Sequence, residues 1–248
     1  MPSNLNPLGA LPARFRRERV LIVGCGDVGV RVAGLLAPRL RVMALTSSRG
    51  RVPALRAQHI TPLVGNLDER ATLRRLAGLA TRVVHLAPPP GDNPAWRTDL
   101  FGRSTGTRTH VLRIPGIYAP DREGGTPRAR LLKGTAVLTP QDDVYTNHIH
   151  ADDLARACAA ALWRGKPQRV TNASDDTQMH MGEYFDFAAG LYGLPKPPRV
   201  PRSTAQEQLP LMLLSFMSES RRLENTRLKQ ELRLRLKYPT VVQGLQAG

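Results

Sequence analysis

Val20-Leu-Ile-Val-Gly-Cys-Gly-Asp-Val-Gly29 is the stretch whose reading decides the fold. Four β-favouring apolar residues run into Gly24-x-Gly26-x-x-Gly29, and a helical pattern of Val28, Val32, Leu35 and Leu36 follows. Glycines at this spacing are a weak signal alone, but a strand before them and a helix after them is the setting a dinucleotide fingerprint requires. Gly24 permits a tight turn, Gly26 lets the backbone approach a pyrophosphate, and Gly29 lets the helix pack closely on the strand. The helix start at Asp27 and Val28 then offers unpaired N–H groups and a partial positive charge to the phosphates. The competing reading is a glycine-rich βα turn that holds no ligand.

Outward from this stretch, strands and helices alternate. A second strand is expected over 40–45, a short helix over 53–58 and a third strand over 59–64. A helix over 68–80 follows, with Asp68 as its cap and Leu73, Leu76 and Leu79 on its apolar side. Residues 82–87 form a fourth strand, stopped by Pro88-Pro89-Pro90, which cannot continue a ladder. This rhythm predicts a parallel sheet covered on both faces, an α/β doubly wound fold.

The end of the second strand carries the cofactor choice. In NAD-binding sites an acid about 20 residues beyond the glycines holds the ribose 2′-hydroxyl. Residues 46–51 contain no acid, but offer the Ser47 and Ser48 hydroxyls and the guanidiniums of Arg49 and Arg51. Arginine pairs bidentately with a phosphate that a carboxylate would repel, so NADP is favoured over NAD. The alternative for these arginines is a solvated loop.

Later elements are less regular. A short helix is expected over 92–102, a strand over 111–114, a helix over 126–133 and an extended segment over 145–150. Asp152 or Asp153 is expected to cap an amphipathic helix bearing Leu154, Ala157, Cys158, Ala161 and Leu162. Residues 168–173 read as a strand, 182–191 as a helix, 194–201 as a Pro-rich linker and 209–245 as a mostly helical basic tail.

Composition bounds the function. The chain of 248 residues has a net charge of +16, which raises nucleic acid as a partner. Acids are interleaved among the arginines, and five Phe and five Tyr leave little for base stacking, which argues against that class. Two distant cysteines, Cys25 and Cys158, make no disulfide framework and suit a reducing compartment. No apolar run reaches the roughly 18–20 residues of a membrane helix. Residues 1–18 are polar and basic without a signal-peptide core and read as a flexible tail, so a cytoplasmic location is expected.

Four stretches in order carry a resemblance: the glycine loop, Gly65-Asn-Leu-Asp68, Arg113-Ile-Pro-Gly-Ile-Tyr118 and Tyr145-Thr-Asn-His-Ile-His-Ala-Asp-Asp-Leu154. The chain resembles the NAD(P)-dependent epimerase/dehydratase-like branch of the extended or atypical short-chain dehydrogenase/reductases. The segment 214–225 is also similar to the C-terminal lobe of bacterial members of this type. The resemblance implies a Rossmann-like core over 19–118, and later core strands with a small C-terminal α/β substrate lobe over 119–248. It places Asn66, Leu67 and Asp68 near the adenine and Ala87 and Pro88 near the cofactor's ribose or nicotinamide side. It also implies a nucleotide-sugar-like substrate.

One departure stands out. The family's Ser/Thr loop and its helix with Tyr-x-x-x-Lys, the acid/base unit, should fall between Pro90 and Val111, where only twenty residues (91–110) stand. Ser104-Thr-Gly-Thr107 is a stump of that loop, and several dozen residues are missing by comparison. Tyr192-Gly-Leu-Pro-Lys196 alone matches the spacing, but Gly193 and Pro195 prevent one helical turn from aligning the pair. Three functions remain open: a dinucleotide binder without the Tyr/Lys unit, an oxidoreductase or epimerase using Tyr118, His148 or Ser104, and a polyanion binder.

Other chemistry is fainter. His148-x-His150 puts two imidazoles on one strand face without a spaced third metal ligand. The adjacent acids Asp142-Asp143 and Asp175-Asp176 suit turns or caps. Cys25 suits a low-pKa thiol at a helix start, though a bound pyrophosphate would cover it. Arg221 and Arg222 suit a phosphate or carboxylate, or a solvated helix face.

Overall fold

The computed structural model describes residues 18–76, 78–87, 108–209, 214 and 217–247. Residues 1–17 of the tail expected over 1–18, the helix over 92–102, Pro88-Pro89-Pro90 and Ser104-Thr-Gly-Thr107 lie outside these residues. The chain divides into two compact units, residues 1–94 and 95–248.

In the first unit, β1 (Arg19–Val23), α1 (Asp27–Leu36), β2 (Arg41–Thr46), α2 (Val52–Ala57), β3 (Thr61–Val64), α3 (Arg70–Leu73) and β4 (Arg82–His85) follow in turn. The four strands form one sheet in the order β3-β2-β1-β4, and every pairing is parallel. The order of the strands therefore reverses between β1 and β4, the switch point where open α/β sheets bind ligands at their carboxyl ends. Apolar residues fill both faces of the central strands. Leu21, Val23, Met43 and Leu45 pack under Leu63, Leu73, Leu76 and Leu79. On α1, Val32, Ala33 and Leu36 are buried, whereas Leu35, expected in the same apolar pattern, is 48% exposed and lies off the buried face.

The helix expected over 68–80 is shorter. It forms α3 and a 3-10 turn at Arg74–Leu76, and its cap position is Glu69 rather than Asp68. The reason is local: Asn66 takes the capping role in the turn, accepting the Asp68 N–H on Oδ1 at 3.2 Å. The hydroxyl of Thr72 bonds back to the Asn66 and Glu69 carbonyls.

The second unit contains β5 (His110–Arg113), β6 (Gly116–Tyr118), α4 (Arg128–Leu132), β7 (Val137–Leu138), β8 (Tyr145–Thr146) and β9 (His148–His150). These are followed by α5 (Ala151–Arg164), β10 (Arg169–Asn172), β11 (Met179–His180), α6 (Met181–Tyr192) and β12 (Arg199–Val200). Last come α7 (Arg202–Gln208), α8 (Thr226–Gln230) and α9 (Val241–Gln246). The strands pair two by two, β10 with β5, β6 with β9 and β12 with β7 in parallel, and β11 with β8 antiparallel.

Three expectations change here. The cap of α5 is His150, whose Nδ1 accepts the Asp152 N–H at 3.2 Å. Asp153 is instead inside the first turn and fully buried. The Pro-rich segment is not a linker, because Arg199–Val200 pairs with β7 and Val200 is buried. The basic tail carries only two short helices among its described residues after 217. The rest is irregular backbone held by side chains of other elements, including Asn147, Arg164 and Asn172.

Candidate functional site

The first-unit site grows from the carboxyl end of β1. Gly24 has φ +82, a left-handed conformation that side chains disfavour. A Cβ there would meet the Ala87 nitrogen and lie 2.6 Å from its Cα, so the turn is pressed against the chain leaving β4. Gly29 is buried, and its Cβ would stand 3.1 Å from the Gly24 carbonyl oxygen, which fixes the close approach of α1 to the loop. Gly26 differs from both. A Cβ at Gly26 would meet nothing within 4 Å, so this backbone faces open space.

Gly26 is also the cap position of α1, and no side chain caps the helix. The first-turn N–H groups lack intrahelical acceptors and carry the positive end of the dipole. Asp27 points along the helix to Arg31, 3.2 Å away, rather than capping. An anion at Gly26 would therefore meet donors and positive potential without steric obstruction. Val28 is the next helical residue and half-buried.

At the end of β2 the Thr46 hydroxyl accepts the Ser48 N–H at 3.3 Å and shapes the following turn. Ser47, Ser48, Arg49 and Arg51 are exposed. At the end of β3, Asn66 is held by Thr72, whose Oγ1 accepts the Asn66 N–H at 3.0 Å, and Leu67 is 44% exposed. Ala87 is half-buried against Gly24, while Pro88 lies outside the described residues. Within the first unit, then, Gly24, Gly26, Asp27, Val28, Gly29 and Ala87 converge on the β1 end. Ser47, Ser48 and Arg49 follow the β2 end, and Asn66 and Leu67 the β3 end.

Cys25 is not an activated thiol. It is buried, and burial pushes its pKa up, with the Arg51 charge opposing only part of that.

The acid/base candidates of the second unit are core residues. Tyr118 is 2% exposed, and its hydroxyl donates to the Thr240 carbonyl at 3.2 Å. Burial, then the neighbouring Asp175, push its pKa far above the phenol range. His148 packs on the Tyr184 ring at 4.3 Å and His150 on Tyr238 at 3.9 Å. Among the described residues no three His, Cys, Asp or Glu side chains gather as a metal site. Ser104 lies outside the described residues. Tyr192 and Lys196 are separated by the helix end at Gly193, φ +62, and Lys196 faces Asp186 at 3.9 Å.

The remaining candidates serve structure. Asp142 accepts the Arg202 N–H at 2.8 Å and Asp143 the Gly182 N–H at 2.8 Å. Asp176 holds Asn225 and Lys229. Arg222 stands over the Tyr145 ring at 5.0 Å, and Arg221 pairs with Glu219.

Asp175 has a measurable consequence. It is 3% exposed, its Oδ1 accepts the Thr177 N–H at 2.9 Å, and its buried Oδ2 has no hydrogen-bond partner among the described residues. Burial raises its pKa to about 7, against the lowering pull of the Thr177 bonds. A carboxyl whose pKa rises on folding costs stability as pH climbs from its unfolded value through about 7. His148 acts oppositely: burial lowers its pKa to about 4, so its contribution is present above the unfolded value near 6.5 and is lost as pH falls toward 4. Asp175→Asn keeps the acceptor for Thr177 and removes the charge. The variant is expected to gain about 2–4 kcal/mol at pH 8 and little at pH 4. Urea melts at the two pH values check this, and an equal change at both would contradict it.

No protein-family model matches the chain, and no curated protein sequence matches it. Solved structures do. A functionally unknown conserved protein from Silicibacter pomeroyi is 26% identical, with a TM-score of 0.73 over 93% of this chain and 97% of that one. A nucleoside-diphosphate-sugar epimerase from Pseudomonas aeruginosa gives 16% identity and a TM-score of 0.73 over 92% and 95% of the two chains. An enzyme from Bordetella bronchiseptica, solved with NAD+ and UDP, gives 14% identity and a TM-score of 0.63 over 93% and 90%. With these likenesses and its parallel sheet flanked by helices, the chain has a Rossmann-like α/β fold.

Proposed function

We propose that this chain binds a nicotinamide dinucleotide at the β1 glycine loop and acts without the Tyr/Lys chemistry of the epimerases it resembles. The observation that carries the reading is the open backbone at Gly26, between a Gly24 whose surroundings exclude a side chain and a Gly29 packed closely against the loop. A pyrophosphate needs that access, and an uncapped helix start supplies its donors. The NAD+ and UDP in the Bordetella enzyme and the epimerase activity named for the Pseudomonas protein support the ligand class, including a nucleotide sugar as second ligand. The burial of Tyr118, His148 and Tyr184 supports a role other than proton transfer.

NADP is the preferred form in this reading. Arg49 and Arg51 flank the end of β2 and no acid stands between Thr46 and Arg51. Calorimetric titration is expected to give NADPH an advantage of about tenfold or more over NADH, a bidentate phosphate contact being strong. The exposed pair Arg49→Glu/Arg51→Glu should reverse that order. Equal affinity of the wild-type chain for both cofactors would contradict the assignment. Neither cofactor should be turned over with carbonyl or nucleotide-sugar substrates.

A further inference from the structure

A cleft of about 520 Å³ lies in the second unit at the carboxyl ends of β5 and β10, lined by Arg113, Val170, Asn172, Glu224, Thr226 and Arg227. Its volume is that of a small-molecule site. Arg113 and Asn172 are the terminal residues of two parallel strands and are paired in register, so their side chains leave the sheet side by side. Glu224 stands just before α8 and Arg227 in its first turn, on the segment that runs beside these strand ends. That segment is tied down by Asn172, whose amide donates to the Glu224 carbonyl at 3.0 Å, and by Arg227, which donates to the Val170 carbonyl at 2.8 Å.

These tethers leave most of the cleft's polar capacity unused. Among the described residues, the Arg113 guanidinium and the Glu224 carboxylate have no hydrogen bond or ion pair, not even with each other. One Arg227 N–H is committed to Val170, and its other donors remain, as do the Thr226 hydroxyl and the Asn172 Oδ1. The lining thus presents two guanidiniums and one carboxylate, a net charge of one positive.

We propose that this cleft binds a hydroxylated monocarboxylate, such as a sugar acid, its carboxylate on Arg113 and Arg227 and its hydroxyls on Glu224 and Asn172. The charge balance selects this class. A carboxylate of charge −1 neutralises the lining and fits the planar guanidinium fork. A phosphate of higher charge is opposed by Glu224, and a neutral sugar leaves the guanidiniums unpaired. Hydroxyl groups supply the donors that Glu224 and Asn172 Oδ1 lack. The site lies within the second unit and does not rest on dinucleotide binding.

The test is calorimetric titration of the full chain, without dinucleotide, by D-glucuronate, D-glucose and inorganic phosphate. Glucuronate is expected to bind below about 10 mM, with glucose and phosphate each at least about tenfold weaker. Arg113→Gln removes an exposed side chain that the fold does not use, and should weaken glucuronate by about tenfold or more. Glu224→Gln should turn the preference toward phosphate, because the lining then carries two positive charges. Binding of UDP-glucuronate with no binding of free glucuronate would overturn the sugar acid as sufficient ligand. Equal binding of glucose and glucuronate, or glucuronate affinity unchanged in both variants, would overturn the site itself.

Discussion

Replacing Asp153 by alanine is expected to destabilise the second unit by about 3–5 kcal/mol, the range for breaking a buried ion pair. Asp153 is fully buried in the first turn of α5. Its Oδ1 accepts the Lys237 N–H and its Oδ2 the Tyr238 N–H, each at 2.8 Å. The Arg156 guanidinium lies 2.6 Å from Oδ1. Alanine would strand two backbone donors and release the loop that positions Tyr238 against His150. The carboxylate also sits at the favourable end of the helix dipole. Asparagine keeps one acceptor but turns an N–H₂ toward a second donor, so it should recover only part of the loss. Thermal and urea unfolding of both variants check the order, and an alanine variant as stable as wild type would contradict it.

Gly24→Ala is the second large effect. At φ +82 any side chain is strained, at about 1–3 kcal/mol. The added Cβ would also run into the backbone of Ala87, with the Leu86 carbonyl carbon 2.8 Å away. Backbone cannot rotate aside as a side chain end does, so overpacking adds about 1–3 kcal/mol more. The total, about 2–6 kcal/mol, should fall on the first unit and separate β4 from the β1 turn. Faster exchange of the amide hydrogens of β1 and β4 would report it directly. Unchanged exchange would mean that the turn relaxes in a way its packing does not suggest.

The two variants also show what was legible in the sequence. The first unit could be read almost element by element because each strand is a short apolar run and each helix repeats on one face. Gly24, Gly26 and Gly29 could be assigned separate roles from spacing, since a strand–turn–helix leaves one way to place them. Asp153 could not be read so. Its adjacency to Asp152 suggested a cap, but the cap is His150, and the partners of Asp153 lie at 237 and 238, more than eighty positions away.

The irregular tail after 217 is hidden from a sequence reading for the same reason. Its backbone is held by Asn147, Asn172 and Arg164 across long separations, and these tethers leave no periodic trace. Arg113, Asn172, Glu224 and Arg227 were invisible as a group because only the β5–β10 register brings them together. Tyr118 and His148 misled as acid/base candidates because residue type does not reveal burial, and both are in the core.

The glycine loop is best tested at Gly26, the one glycine of the three where a side chain fits. Gly26→Ser puts a preferred cap on α1, at an extended backbone position that serine adopts freely. Its melting temperature should equal or exceed that of the wild type. The same hydroxyl would occupy the space that a pyrophosphate requires. Calorimetric titration with NADPH should therefore show wild-type binding below about 1 mM and a loss of at least about tenfold in Gly26→Ser. A wild-type chain that fails to bind NADPH in that range, or a folded Gly26→Ser that binds it equally well, would contradict the account.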